Sequence, residues 1–306
     1  MSAEYATAPR RVAFDVPEFA VGQDEPDDLD DVSRETQPRL PRPAHTRVFV
    51  VANQKGGVGK TTSAVNLAVA LARGGLRTLV VDLDPQGNAS TALGIDHSEG
   101  TPGSFETLSG SPMAELLQRS PEAPGLWVLP ATIDLAGAEI GLVSAFARES
   151  KLKHALDEFL AGHAMDYVFI DCPPSLGLLT VNAFVAAQEI LIPIQCEYYA
   201  LEGVSQLLRT IDMVRSSMNS DLRLTTVLLT MYDGRTRLAS QVADEVRQHF
   251  PRETLEAVIP RSVRVSEAPS YGQSVLSYHE ASAGAQAYLA AAEELAARGA
   301  RDSGER

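Results

Sequence analysis

Two cysteines, one tryptophan and four lysines are few for a chain of 306 residues, and each shortage excludes something. Cys172 and Cys196 sit inside apolar segments with no metal-ligand spacing between them. An iron–sulfur centre needs more thiolates than one such chain offers, so electron transfer by that route is not expected. Buried free thiols in a reducing cytoplasm are the expected state. Long apolar runs are also missing: stretches such as Leu76–Leu83 and Glu189–Ile194 are far shorter than the roughly 20 residues of a spanning helix. The N-terminus lacks a basic start followed by an apolar stretch, so no secretory signal is expected. Positive charge is in deficit, 26 Lys and Arg against 40 Asp and Glu, and a net −14 argues against a generally adhesive nucleic-acid binder. Lysine is the scarcest cation. Its four positions are Lys55, Lys60, Lys151 and Lys153, so a chain that otherwise uses arginine keeps two ammonium groups in one glycine loop. A compact ammonium and a planar guanidinium are not interchangeable at a phosphate, which gives that choice a chemical meaning.

What is present divides into an arm and a domain. Residues 1–45 hold ten acids and five arginines, with abundant proline and no sustained apolar period, and are expected to be a disordered acidic arm. Within it Val12–Val21 reads either as a docking motif or as part of a solvated tail. Residues 46–300 form the expected folded domain, and 301–306 a flexible C-terminus. Apolar runs bounded by turns predict strands at Arg47–Ala52, Arg77–Asp82, Leu126–Pro130, Tyr167–Asp171, Glu189–Ile194, Leu224–Met231 and Ala257–Ile259. Helical stretches between and after them, at Thr61–Arg73, Lys151–Ala161, Leu201–Met218, Leu238–Phe250 and 282–298, predict an α/β fold. Its sheet should be mostly parallel, twisted and covered by helices on both faces.

The chemistry is concentrated at three strand ends. The first strand runs into Asn53-Gln54-Lys55-Gly56-Gly57-Val58-Gly59-Lys60-Thr61-Thr62, followed by a helix. The strict phosphate-loop consensus wants glycine where Gln54 stands. The remaining glycines still let backbone N–H groups wrap phosphates, and the helix N-terminus points its partial positive charge at them. Lys60 would reach the β- and γ-phosphates and the Thr61 hydroxyl would coordinate Mg²⁺. At the second strand end, alternation puts Asp82 and Asp84 on one side, where carboxylates can hold Mg²⁺ or orient a water; Asp82 also reads as a turn cap. A third strand ends Val168-Phe169-Ile170-Asp171, apolar residues before an aspartate placed to bind Mg²⁺ through water.

These residues resemble the deviant Walker-A ATPases, the P-loop group that contains ParA/Soj, MinD and nitrogenase iron protein. Gln195-Cys196-Glu197-Tyr198-Tyr199-Ala200-Leu201-Glu202-Gly203, Thr230–Thr236 and Val258–Ser270 are similar to the chromosomal ParA/Soj branch, and the resemblance spans about residues 46–297. It implies ATP and Mg²⁺ as cofactors, held by Lys55, Gly56, Gly57, Val58, Gly59, Lys60, Thr61 and Thr62. It also implies that Lys55 crosses a nucleotide-sandwich homodimer to the partner's phosphates, that Asp84 positions the attacking water, and that Asp82 orders the Mg²⁺ shell. Pro260 would lie against the adenine, and Arg235 and Arg264 would bind double-stranded DNA without reading its sequence. A ParB-type centromere-binding protein would stimulate hydrolysis, and the protein would be cytoplasmic and nucleoid-associated. The chain departs from the family at Ser262, where asparagine is commoner, and in its acidic arm. Between Asp212 and Arg264 stand eight arginines against seven acids, a mildly basic region in an acidic protein.

Two rival functions follow from other features. Membrane cycling of the MinD kind needs a basic amphipathic C-terminal helix, but here Glu293 and Glu294 stand where lysines would be wanted, so no membrane partner is expected. A metabolic ATP-dependent ligase would bind a small acid and would not need Lys55 in trans.

Overall fold

The structure is a computed structural model that describes residues 40–142, 145–198 and 200–301. The expected arm up to residue 39, with its Val12–Val21 segment, and residues 302–306 of the expected flexible C-terminus lie outside the described residues.

The chain enters through β1 (Arg47–Val51), α1 (Lys60–Arg73), β2 (Thr78–Asp82), α2 (Asn88–Ala92) and α3 (Ser104–Ser109). There follow β3 (Gln118–Arg119), β4 (Leu126–Leu129), α4 (Leu135–Gly141), α5 (Lys151–Gly162), β5 (Tyr167–Asp171) and α6 (Leu178–Ala186). The second half comprises β6 (Glu189–Gln195), α7 (Ala200–Ser217), β7 (Arg223–Tyr232), α8 (Arg237–His249) and β8 (Thr254–Pro260). It closes with α9 (Val263–Glu267), α10 (Val275–Tyr278) and α11 (Ala283–Arg301).

The described strands pair in the order β3-β4-β2-β5-β1-β6-β7-β8, parallel throughout except for the short antiparallel β3 at one edge. This is the expected parallel sheet with helices on both faces. β1 is fully buried because its alternate residues feed two cores. Val48 and Val50 pack with Leu152, Leu156, Phe184 and Leu207 from α5, α6 and α7. Phe49 and Val51 pack on the opposite face with Leu67, Leu71, Tyr288 and Leu295 from α1 and α11. Burial on both faces explains why these strands read as continuous apolar runs. At the N-terminal end of β1 the Arg47 guanidinium grips the Glu189 carboxylate with two hydrogen bonds and lies 4.8 Å from the Phe49 ring centre. Central β1, between β5 and β6, therefore delivers its C-terminal end to the middle of the sheet. Ligands of open parallel sheets bind in that position.

Candidate active site

The glycine loop is held in place from behind. Asn53 Nδ2 donates to the Pro193 carbonyl at 2.8 Å, its Oδ1 accepts the Lys55 N–H at 3.0 Å, and the Thr230 hydroxyl donates to the Val58 carbonyl at 2.9 Å. Val58 is buried as the anchor, whereas Gly56 and Gly57 are exposed on the open side. Gly57 and Gly59 have φ of 73° and 91°, a left-handed backbone that side chains resist. Gly59 caps α1 without any side-chain bond, and no acid occupies the first turn, so the helix N-terminus faces the loop with its own N–H groups and Lys60. The Lys60 side chain is buried and Thr61 and Thr62 are half-buried.

Three aspartates approach this loop. Asp171, at the end of β5, is fully buried, and neither of its carboxylate oxygens meets a donor at hydrogen-bonding geometry. Its pKa stands well above the ordinary carboxylate value, first because of burial and then because of the Asp82 charge. The Thr61 hydroxyl and the Lys60 ammonium lie near enough to oppose that shift. Asp82 is also fully buried, but its oxygens are engaged. Oδ2 accepts the Ser90 N–H and hydroxyl at 2.9 and 2.8 Å, and Oδ1 accepts the Asp84 N–H at 3.1 Å. Burial raises its pKa to about 6 against these hydrogen bonds. The turn-cap reading of Asp82 is thus realised in the structure: the side chain ties the loop carrying Asp84 to α2. Asp84 itself is half-buried.

The chemistry of Asp171 and neighbouring Thr61 suits a cation. The orphaned oxygens of Asp171 are acceptors in need of a positive partner, and burial without one is costly. Among the described residues no cluster of three or more His, Cys, Asp or Glu could hold a metal by itself. A cation here would take its other ligands from water and a bound phosphate, which is the habit of Mg²⁺.

These two raised carboxylates have a consequence for stability. A carboxyl whose folded pKa exceeds its unfolded value of 3.8 stabilises the fold most at low pH. That contribution is lost as pH rises through the folded value, about 6 for Asp82 and higher than ordinary for Asp171. Asp171→Asn should therefore raise the melting temperature of the nucleotide-free chain at pH 7.5, by roughly 1–3 kcal/mol in stability. A thermal melt series from pH 5 to 8 checks this. A variant less stable than the parent at pH 7.5 would contradict it.

On the other side of α1 a cleft of about 100 Å³ is lined by Gly59, Thr62, Met231, Pro260 and Tyr288, among others. Met231 has φ of 51° within β7, a strained conformation of the kind found where ligands bind. A second cleft of about 240 Å³ opens beside Thr61, Thr62, Asn66, Asn88 and Gln273. Pro260 is accordingly brought beside the glycine loop, 200 residues from it in sequence. Met231 lies within the family-like stretch Thr230–Thr236 with no role assigned to it there, and Tyr288 carries no motif; the pairing of β7 with β8 and the packing of α11 place them here.

Lys55 is engaged outside the glycine loop. Its Nζ lies 3.2 Å from Glu197 Oε2, just past β6. Arg235 and Arg264 follow the C-terminal ends of neighbouring β7 and β8 in the chain. Arg235 is 89% exposed and bonds both oxygens of Asp233, whose pKa it pulls down to about 2. Arg264 is half exposed and pairs with Glu267 at 3.1 Å.

A parallel sheet whose central strand ends in a glycine loop, capped by a buried lysine and faced by a buried aspartate, defines the P-loop nucleotide hydrolases. The family model described as an AAA domain matches residues 46–224. The chromosome partitioning protein ParA of Myxococcus xanthus is 51% identical over 253 residues, covering 82% of this chain and 88% of the relative. The sporulation initiation inhibitor protein Soj of Bacillus subtilis is 49% identical, covering 83% of this chain and 99% of the relative. Among solved structures, cobyrinic acid a,c-diamide synthase from Mycobacterium smegmatis with bound ADP and magnesium is 40% identical with a TM-score of 0.72, covering 85% and 97% of the two chains. The cell division ATPase MinD of Pyrococcus furiosus is 26% identical with a TM-score of 0.66, covering 81% and 98%. The chain belongs to the ParA/Soj family.

Proposed function

We propose that this protein is a partitioning ATPase whose nucleotide state governs its binding to DNA. The observation that carries the reading is the pair of lysines in one loop, Lys60 buried at the first turn of α1 and Lys55 part-exposed and paired with Glu197. Lys60 and the N–H groups from Gly56 to Thr62 neutralise and hold the β- and γ-phosphates. Thr61 and Asp171 hold Mg²⁺, and Asp82 keeps Asp84 in place near them. Mg²⁺, when bound with ATP, supplies positive charge against the phosphate oxygens. Asp84 orients the attacking water, and Pro260 packs against the adenine. Lys55, not committed to its own pocket, stabilises charge on the partner subunit's nucleotide, so that hydrolysis depends on forming the homodimer. Arg235 and Arg264 meet duplex phosphates. A ParB-type partner accelerates turnover by placing a basic group near Asp84 and Lys55. Residues 46–300 are the ATPase domain, and the protein works in the cytoplasm on the nucleoid.

One feature speaks against membrane cycling. The apolar face of α11 is spent on the core through Tyr288, Ala291, Ala292, Leu295 and Ala296. The name of the Mycobacterium smegmatis neighbour favours a second reading, a synthase acting on a small acid. Duplex binding measured with ATP, with ADP and without nucleotide, at stated salt, separates the two. Binding confined to ATP supports the partitioning reading. Nucleotide-independent absence of binding, with turnover stimulated by cobyrinic acid, would replace it.

Asp84→Ala is expected to retain ATP binding and dimerisation while its turnover falls by about 100-fold or more, since only the positioning of water is lost. Size exclusion with ATP should show a persistent dimer, and a purely monomeric elution would contradict the role.

A further inference from the structure

Glu197 has no assigned role, yet its carboxylate joins three distant segments. Oε2 takes Lys55 Nζ from the glycine loop at 3.2 Å. Oε1 takes the guanidinium of Arg261, just past β8, at 3.3 Å, and Gln195 Nε2 at the end of β6 at 2.5 Å. Arg261 and Gln195 thus hold one oxygen in place while the other is presented to Lys55. The Lys55 and Glu197 side chains are 39% and 44% exposed, so the pair is in contact with water and easily exchanged.

We propose that Glu197 is a positioning residue that restrains Lys55 in the free subunit. It gives the lysine up only to an acceptor of greater charge. A single carboxylate carries one negative charge, whereas a terminal phosphate carries nearly two and offers three oxygens. The terminal phosphate of a diphosphate is charged alike but sits one phosphoryl group further back, so under the trans reading only a triphosphate brings that charge within reach of Lys55. The exchange raises the threshold for dimerisation and sharpens its dependence on ATP over ADP. Arg261 adjoins Pro260, so the carboxylate that holds the lysine is itself fixed from the wall of the cleft beside the glycine loop. This inference rests on the reading that Lys55 acts across the dimer.

The test is sedimentation of the full chain with Mg²⁺ and a titrated non-hydrolysable ATP analogue, and in parallel with ADP. Glu197→Gln keeps the size of the side chain and removes its charge. It should dimerise at roughly two- to fivefold lower analogue concentration per subunit, the range an exposed ion pair contributes. It should also begin to dimerise with ADP. Glu197→Asp should restore the parent's threshold in part, which a merely structural role for the side chain would not require. In a Lys55→Ala background, Glu197→Gln should change nothing, because the group being restrained is gone. An unchanged or higher threshold in Glu197→Gln overturns the proposal, as does an effect that survives Lys55→Ala. If Lys55→Ala alone dimerises and turns over like the parent, the trans role fails and takes the restraint with it. If Lys55→Ala is impaired while Glu197→Gln behaves as the parent, the restraint alone fails.

Discussion

Lys60→Ala is expected to lose nucleotide binding, with affinity for ATP and Mg²⁺ falling by about 100-fold or more. The Lys60 side chain is buried at the first turn of α1, beside a glycine loop that carries no other cation directed inward. A hydrogen bond to a charged group contributes roughly 1.5–3 kcal/mol, and a lysine reaching both β- and γ-phosphates makes more than one. The loss is compounded by what remains. Asp171 lies within range of the charges of Asp82 and Asp84, and Lys60 is among the groups that offset them. Without the ammonium, this group of acidic side chains loses a positive neighbour. Calorimetric titration with ATP and Mg²⁺ checks the prediction, with a thermal melt to confirm folding. Parent-like affinity would remove Lys60 from the site and with it the phosphate-loop assignment.

Arg235→Glu combined with Arg264→Glu should abolish duplex binding and leave ATP-dependent dimerisation intact. Both side chains are exposed, so their effect on stability should stay within about 0.5 kcal/mol. Their effect on DNA is of another order. Each phosphate contact contributes about −0.9 to the slope of log affinity against log salt on duplex DNA, so four contacts on a dimer contribute about −3.6. In a protein of net charge −14, losing those contacts and adding four acids per dimer should leave no measurable complex. Base sequence should hardly matter, because no base edge is read. Each arginine already has a carboxylate partner, Asp233 or Glu267, so binding exchanges a carboxylate for a phosphate. Fluorescence anisotropy with a random duplex, ATP and a salt series decides the matter. Undiminished binding by the double variant would reject these two arginines.

The sequence is legible where chemistry or burial restricts the residue types. Polyphosphate binding demands glycine, lysine and threonine in fixed order, so the loop from Lys55 to Thr62 declares itself. Strands buried on both faces, such as β1 and β5, appear as unbroken apolar runs. Two-residue β3 has no period of its own and exists because β4 offers an edge. The short helices α2, α9 and α10 are likewise too brief for a 3.6-residue pattern to show. Asp82 was legible as a strand-end carboxylate, but its bonds to Ser90 depend on a loop returning from eight residues away. Glu197 lies inside a recognisable stretch, yet its partner Lys55 is 142 residues distant and nothing local indicates the contact. The cleft wall at Tyr288 belongs to the same class, since tertiary approach alone creates it, while Met231 stands in a recognisable stretch with nothing local to mark it as a wall.

The close fit of α11 against α9 bears on how such a subunit can be switched. A Cβ on Gly284 would lie 2.4 Å from Val265, so α9, which carries Arg264, is seated directly on the α11 backbone. Four residues along α11, Tyr288 reaches the Ser63 hydroxyl of α1 at 3.4 Å, one turn from the glycine loop. Helix α9 and the first turn of α1 are thereby braced against the same rod. Were α9 to meet DNA as proposed, Arg264 would be offered from that seat on α11. Nucleotide can then control DNA affinity by valency: pairing two rigid subunits doubles the cations on one body, and the second pair engages at the high effective concentration set by the first. On that account the salt slope should step from about −1.8 to about −3.6 on adding ATP, with no intermediate value for a reoriented single subunit.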